Sequence, residues 1–382
     1  MSTPRGNPTP VRSAPSPTAL PAAPAHGLPP DAIPDIPAGG AWLPRLIGDL
    51  SAAMTSVLCA LGVRLGLFAR LAVGPATSEE LAGRAKLDER YVREWLYGLS
   101  AAGYLDVDRA NGLFSLPAGL APLVVDAGPA NLTGGYALLA ALTGALTPLA
   151  TAFRSGQGIA PDDYPDELYE AMEQMSASWL DSLLVHQWLP AVDGLVSRLQ
   201  KGARVADIGC GGGRALVRCA EAFPNSEFVG YDTYEKNVER ARKAAENAGV
   251  AGRVSVVHGD AAEHLSGFYD LVTAFDVVHD APDPPALLRR IRNAIDPDGI
   301  FLLLESNCAD SPLDNVGPPA VILFATSVLY CLPTARAEGG PGLGTLGLPP
   351  ARVRDLAGEA GFRLVRPLPV ATPFNALYEA RP

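Results

Sequence analysis

Residues 205–214 read Val205-Ala206-Asp207-Ile208-Gly209-Cys210-Gly211-Gly212-Gly213-Arg214. A short apolar strand carrying one acid runs into a glycine loop and then into a helical pattern. Glycines let the backbone approach a ligand closely, and the first turn of the following helix leaves N–H groups free. A dinucleotide loop would follow G-x-G-x-x-G. Counted from Gly209, its last glycine falls on Arg214, and counted from Gly211 it falls on Leu216. The spacing here is D-x-G-x-G-x-G, which disfavours a nicotinamide-dependent oxidoreductase.

Outward from this loop, short apolar runs alternate with amphipathic helical patterns. The strands expected are Arg204–Ile208, Glu227–Tyr231, Val254–Val257, Leu271–Phe275 and Ile300–Leu304. A helix over Pro350–Ala360 and two strands, Arg363–Val370 and Asn375–Ala380, follow. Such alternation predicts an α/β fold, a parallel Rossmann-like sheet with helices on both faces. An acid stands at or near the carboxyl end of each parallel strand: Asp207, Asp232, Asp260, Asp276 and Glu305. Ligands of open α/β sheets bind beyond those ends. Carboxylates there would repel a pyrophosphate and suit a cationic ligand rich in hydroxyl and amino donors. Asp232 follows Gly213 by 19 residues, the place for a carboxylate on two ribose hydroxyls. Asp260 can accept from an adenine amino group. S-adenosylmethionine has these groups, an ammonium and a sulfonium, and no phosphate.

Val205–Gly213, Asp232 and Asp260 resemble the motifs of class I S-adenosylmethionine-dependent methyltransferases. Phe275-Asp276-Val277-Val278-His279-Asp280, Gly342-Leu343-Gly344-Thr345 and Pro373-Phe374-Asn375-Ala376-Leu377-Tyr378-Glu379 look like the bacterial subfamily with an N-terminal winged-helix-like domain. The similarity runs from about residue 41 to the end. It implies a seven-stranded methyltransferase sheet and small-molecule acceptors, indole-type natural-product precursors among them. It also implies that Asp207 holds the methionine amino group, that Gly209, Gly211 and Gly213 make room for methionine and ribose, and that Asp232 binds the ribose. Thr233 is counted beside Asp232, Asp260 binds the adenine, and Ala261 supplies a backbone N–H. Phe275 and Asp276 lie near the methionine end. The product would be S-adenosylhomocysteine.

Methyl transfer is a displacement at an already activated carbon, so the protein supplies mainly positioning and a dry site. A base is needed only where the acceptor must lose a proton. His279, just beyond the fourth strand, is the candidate, since histidine titrates near neutrality. In related plant-type O-methyltransferases a histidine in this neighbourhood acts as base. Asp280 can orient it or bind substrate, and Glu305 can do either. No metal is assigned, because adjacent side chains such as His279 and Asp280 rarely chelate well. His258 is placed within the third strand and His264 in the helix after it.

The helical run Glu167–Trp188 puts Leu168, Met172, Met175, Trp179, Ser182 and His186 on one stripe. Packing against the sheet domain explains it; a lid with Met175 and Trp179 over the cofactor is the sharper alternative. Val321–Tyr330 would wall the substrate side and bring Tyr330 into it. The glycines between Gly339 and Gly347 would permit a mobile loop.

Toward the N-terminus, apolar residues recur at helical spacing over Thr55–Leu71, Thr77 or Ser78 can cap the next helix, and Glu89–Ala102 forms another that stops at Gly103. Arg109-Ala110-Asn111-Gly112 joins two alternating runs as a hairpin. Helices plus hairpin make a winged-helix pattern. Residues 55–120 contain seven basic and seven acidic residues, a balance that argues against phosphate contacts and for dimerisation. A ligand-responsive winged-helix DNA regulator is therefore the alternative function. Residues 127–153 and Asn315–Ala335 are uncharged but broken by glycine and proline, and both are read as buried helices rather than membrane spans.

The 382 residues are 48% hydrophobic with a formal net charge of −11, which disfavours general nucleic-acid or anionic-membrane binding. Five widely spaced cysteines without C-x-x-C give no disulfide framework or zinc motif, and no signal-peptide core is visible, so the expected location is the cytoplasm. Residues 1–40 hold eleven prolines and are read as a disordered leader. The expected organisation is this leader, a winged-helix-like dimerisation domain over 41–129, a helical connector and lid over 130–200, and a cofactor-binding catalytic domain over 201–382. The expected assembly is a homodimer acting on a small molecule.

Overall fold

In the computed structural model, which describes residues 40, 42–125, 128–370 and 374–382, the sheet is built on the quoted strand. The leader expected over residues 1–40 lies, but for Gly40, outside the described residues. In chain order the strands are β1 Asp106–Asp108, β2 Leu113–Ser115, β3 Arg204–Ile208, β4 Glu227–Asp232, β5 Val254–His258, β6 Tyr269–Phe275, β7 Ile295–Ser306, β8 Leu364–Pro367 and β9 Asn375–Arg381. β3 to β9 form one seven-stranded sheet in the order β5-β4-β3-β6-β7-β9-β8. β3 to β7 pair in parallel, and β9 runs antiparallel between β7 and β8.

Successive side chains of a strand point to opposite faces. Val205 therefore packs with Trp188, Leu216 and Phe228 on one face, while Ala206 and Ile208 pack with Tyr269, Ile291 and Phe301 on the other. Both faces of β3 are covered, which is why its sequence reads as a continuous apolar run. Trp188, Phe228 and Phe301 are at most 1% exposed. A fully buried side chain of that kind contributes on the order of 1.5–3 kcal/mol. Chain order reverses at β3, with β4 on one side and β6 on the other, so a crevice opens beyond the carboxyl ends of these strands.

The N-terminal part is a winged helix. Thr77 caps the helix Ser78–Ala85 in a full capping box with Glu80, and Asp88 caps Glu89–Ala101. β1 and β2 form the wing across the Asn111-Gly112 turn. The run read as one helix over Thr55–Leu71 is two, Trp42–Arg64 and Leu67–Ala72, with Gly66 left-handed between them. Arg70 and Arg84 spend their guanidinium groups on backbone carbonyls, and Arg90 and Arg93 pair with Glu94 and Glu89. These cations are occupied inside the domain.

Two of the helix expectations need correction. The uncharged stretches are buried on one side only: Leu142, Leu149 and Cys331 are buried, whereas Leu146, Phe153 and Val321 are at least 60% exposed, and Ile322 and Leu332 are exposed as well. Three helical stretches, Trp42–Arg64, Thr133–Ser155 and Pro318–Ala337, are long and apolar enough to cross a membrane by length and composition, and only 22% of each apolar window is buried. The long helix Glu167–Trp188 also changes character midway. It is α-helical over Asp166–Trp179 and π-helical over Leu180–Trp188. The wider i→i+5 turn shifts the stripe. Leu183, Leu184 and Trp188 are buried, and His186 faces out instead of continuing the line from Trp179.

Candidate active site

The crevice is a cavity of about 410 Å³, within the usual range for small-molecule sites. Its walls come from the ends of β3, β4, β5 and β6, from Asp166–Trp179 and from the second uncharged helix.

On one side lies the glycine loop. Gly209 and Gly211 have φ of 63° and 54°, a region that side chains rarely adopt, and a Cβ on Gly209 would meet Val277 at 2.4 Å. Both line the cavity, as do Cys210 and Gly212. Gly213 does not. A Cβ there would meet Ala241 at 2.8 Å, so this glycine admits the helix Glu235–Asn247 rather than a ligand.

The acids follow. Asp207 accepts from Thr273 Oγ1 at 2.6 Å. Burial pushes its carboxyl up to about 7; the threonine bond opposes this and the Asp232 charge adds to it. Asp232 accepts from the backbone N–H groups of Gly211 and Tyr234 at 2.9 Å and from Asn237 at 3.1 Å, yet burial still holds its carboxyl above the usual range. Thr233 lines the cavity and its carbonyl faces His258 Nε2 at 3.0 Å. His258 closes β5, and His264 ends the helix Ala261–His264. Asp260 lines the cavity and also caps that helix through Ala262 N–H. Ala261 lines the cavity beside it. Arg214 is the sole arginine or lysine among the described lining residues, and Arg214 and Arg218 are tied to Asp181. The acids thus face a cavity without a free cation.

On the other side stands His279, 2% exposed, in the short turn Val278–Asp280. Its Nδ1 faces Glu305 Oε2 at 2.6 Å, and its Nε2 lies 3.5 Å from Asp280 Oδ1. Burial opposes a charge on the ring, but Asp280 and Glu305 outweigh it and hold its pKa well above the usual value. Glu305, expected as a substrate contact, is 0% exposed and is not a lining residue. It sits behind the histidine because β7 is covered on both faces. Asp276, left-handed at φ 55°, accepts from Asn375 Nδ2 at 2.6 Å; burial first and Glu305 second push its carboxyl up to about 7.

Met175, Trp179, Phe275 and Tyr330 all line the cavity. Phe275 packs edge-on against Trp188, and Trp179 is tilted against Phe374. Of Val321–Tyr330, Ile322, Leu323, Thr326 and Tyr330 reach the cavity. The glycine segment expected to be mobile is tethered: Thr345 is 7% exposed and donates to Cys331 Sγ at 2.9 Å, and Gly340 N–H bonds Ala335. Sequence reasoning missed Glu173, Cys331, Glu338 and Asn375. Glu173, one position off the stripe of its helix, Cys331, within Asn315–Ala335, and Asn375, at the start of β9, lay in stretches already singled out, but nothing in their spacing marked them as cavity residues.

Strand order, glycine loop and N-terminal winged helix resemble those of class I S-adenosylmethionine-dependent methyltransferases that carry a winged-helix domain. The model of a methyltransferase domain matches residues 199–320, and that of an Rv2258c-like winged helix-turn-helix domain matches residues 53–125. The 27-O-demethylrifamycin SV methyltransferase of Amycolatopsis mediterranei is 35% identical over 117 residues, 30% of this chain and 42% of that one. The acetylserotonin O-methyltransferase of Mus musculus is 27% identical over 365 residues, 88% of each chain. The chain spans less than half the length of the first curated relatives it matches. Among solved structures, the mitomycin 7-O-methyltransferase MmcR superposes with a TM-score of 0.64 at 23% identity, over 91% of this chain and 100% of that one. At that identity the likeness speaks for the fold.

Proposed function

We propose that the protein transfers a methyl group from S-adenosylmethionine to a small-molecule acceptor of secondary metabolism, leaving S-adenosylhomocysteine. One observation carries the reading: Asp207, Asp232, Asp260 and His279 line one continuous cavity in which, among the described lining residues, the sole arginine or lysine is Arg214, already tied to Asp181. That donor set fits a ligand with an ammonium, a ribose and a sulfonium, and not a pyrophosphate.

Asp207 holds the ligand's ammonium, Asp232 the ribose hydroxyls and Asp260 the adenine amino group, with Thr233 and Ala261 beside them. Gly209 and Gly211 let the backbone come close, and Phe275 and Asp276 bound the methionine end. The bound cofactor supplies the activated methyl. The remaining work belongs to the chain. Met175, Trp179 and Tyr330 exclude water and hold the acceptor, and His279, oriented by Glu305 through Nδ1, takes the acceptor proton at Nε2 once the ring, held protonated by Asp280 and Glu305, has released its own. Asp280 stabilises the charged ring. Aromatic and indole-type acceptors suit the apolar wall. Oxygen is favoured over nitrogen or carbon as the methylated atom, because two of the relatives aligned over most of this chain, the acetylserotonin and mitomycin enzymes, are named O-methyltransferases.

The working unit in this reading is a cytoplasmic homodimer. The exposed apolar faces of Trp42–Arg64, Thr133–Ser155 and Pro318–Ala337 support a second copy covering them, and the five free thiols support a reducing compartment. The winged helix then serves assembly rather than DNA. A screen of hydroxylated aromatic acceptors in a methylation-coupled assay tests the activity, with S-adenosylhomocysteine formation on at least one acceptor as the expected outcome. Sedimentation in detergent-free buffer tests the assembly: a dimer is expected, and a stable monomer contradicts it.

A further inference from the structure

On the acceptor side, the two residues assigned to proton transfer stand beside a thiol that methyl transfer does not use. A His279 ring nitrogen, an Asp280 carboxylate oxygen and Cys331 Sγ all lie within 4.8 Å of one another. Glu305 holds Nδ1 at 2.6 Å, so the ring presents Nε2 to the other two. A carboxylate behind the ring is the arrangement that orients metal-bound imidazoles. Asp280 Oδ1 is buried without a hydrogen-bond partner, 3.5 Å from Nε2. Two donors each about 2.0–2.1 Å from an ion at the tetrahedral angle stand roughly 3.3 Å apart, so this spacing is close to one edge of a tetrahedral site. The adjacency of His279 and Asp280, which argued against chelation in the sequence, is overcome by the short turn Val278–Asp280. Cys331 arrives from the other wall, at the end of the π-helical stretch Ser327–Cys331, where Thr345 fixes its sulfur.

We propose that His279, Asp280 and Cys331 form a zinc site, open toward the cavity, whose occupation switches methyl transfer off. One nitrogen, one oxygen and one sulfur donor select a borderline-soft ion over magnesium or calcium, which take oxygen. On binding, the Cys331 S–H and His279 Nε2–H bonds break, Zn–S and Zn–N bonds form, and both protons leave to solvent. The Nε2 lone pair goes to the ion and is lost to the acceptor. The binding claim is independent of the methyl-transfer reading, whereas the inhibition rests on it.

The test uses the full chain after chelation. Titration with zinc alone, by calorimetry, should give one ion per chain. Titration with cobalt should add a thiolate-to-metal charge-transfer band and the visible bands of a tetrahedral site. Cys331→Ser should abolish the charge-transfer band and weaken zinc at least tenfold, with an unchanged thermal melt as the control for folding; Cys331→Ala repeats the test if the serine variant melts early. In turnover, zinc should inhibit competitively with the acceptor and not with S-adenosylmethionine. No zinc uptake, or uptake with the same affinity and band in both Cys331 variants, overturns the site. Zinc bound through Cys331 with turnover unaffected overturns the switch.

Discussion

The two halves of the cavity are built in different ways. The cofactor half is assembled from strand ends and the backbone that follows them: Asp207, Gly209 and Gly211 lie within five residues, Asp232 closes β4, and Asp260 follows β5 as the cap of the next helix. The acceptor half gathers side chains from the turn after β6, from β7 and from two helices that turn π-helical beside the cavity, over Leu180–Trp188 and Ser327–Cys331. The first half depends on backbone geometry and on acids held in place by N–H groups. The second depends on packing between remote segments. The division suits the reaction, because every acceptor meets the same cofactor while the apolar wall can differ without disturbing the glycine loop.

If the halves are separable in this way, substitutions should separate them too. The largest effect is expected at the acceptor half. His279→Ala should lower turnover of an acceptor that must lose a proton by about 10²–10⁴-fold while S-adenosylhomocysteine affinity stays within a factor of two. A parallel loss of cofactor affinity in calorimetry would break the comparison. Asp232→Ala should do the opposite, weakening S-adenosylhomocysteine by roughly 1.5–3 kcal/mol, the range for a hydrogen bond to a charged group. Full affinity in the folded variant would remove the ribose assignment. Gly209→Ala forces a side chain into the left-handed region and onto Val277, so chemical denaturation should show a loss of about 1–3 kcal/mol.

The smallest effect is a pH dependence of the cofactor half. Burial raises the Asp207 carboxyl to about 7, so in the free protein it remains protonated below that pH. A carboxyl raised above its unfolded value adds stability that is full below about pH 4 and is lost as pH rises through 7. A ligand ammonium favours the ionised form. Binding of S-adenosylhomocysteine at pH 6 should therefore release close to one proton, and its affinity should climb toward pH 7 and level off above. Heats measured in two buffers of different ionisation enthalpy read the proton directly, and Asp207→Asn should flatten the profile.

Much of the fold was legible because its signals are local. β3 was bounded to the residue, and the capping box at Thr77 and the Asn111-Gly112 turn were readable, since each needs only neighbours. Two glycines four positions apart illustrate the limit. Gly209 and Gly213 look alike in the motif, yet one makes room against Val277 at the cavity and the other admits Ala241 of a remote helix. Which neighbour a glycine admits is a tertiary fact. The π turns are likewise invisible to a 3.6-residue period, so Trp179 was placed on its stripe correctly and His186 was not. Glu305 was readable as an acid at a strand end, but its position behind His279 depends on how β7 is covered. The uncharged helices were read as buried because apolar surface belongs inside, and in this chain much of it faces outward.

The central claim is that a crevice of acids and backbone N–H groups takes an adenosyl ligand bearing an ammonium in place of a phosphate. Titrating the purified chain with S-adenosylhomocysteine and with NAD in the same calorimeter tests it most directly. The account predicts one S-adenosylhomocysteine per chain, no heat from NAD, and loss of the first signal in Asp232→Ala. Heat from NAD, or silence from S-adenosylhomocysteine in a folded sample, would contradict it.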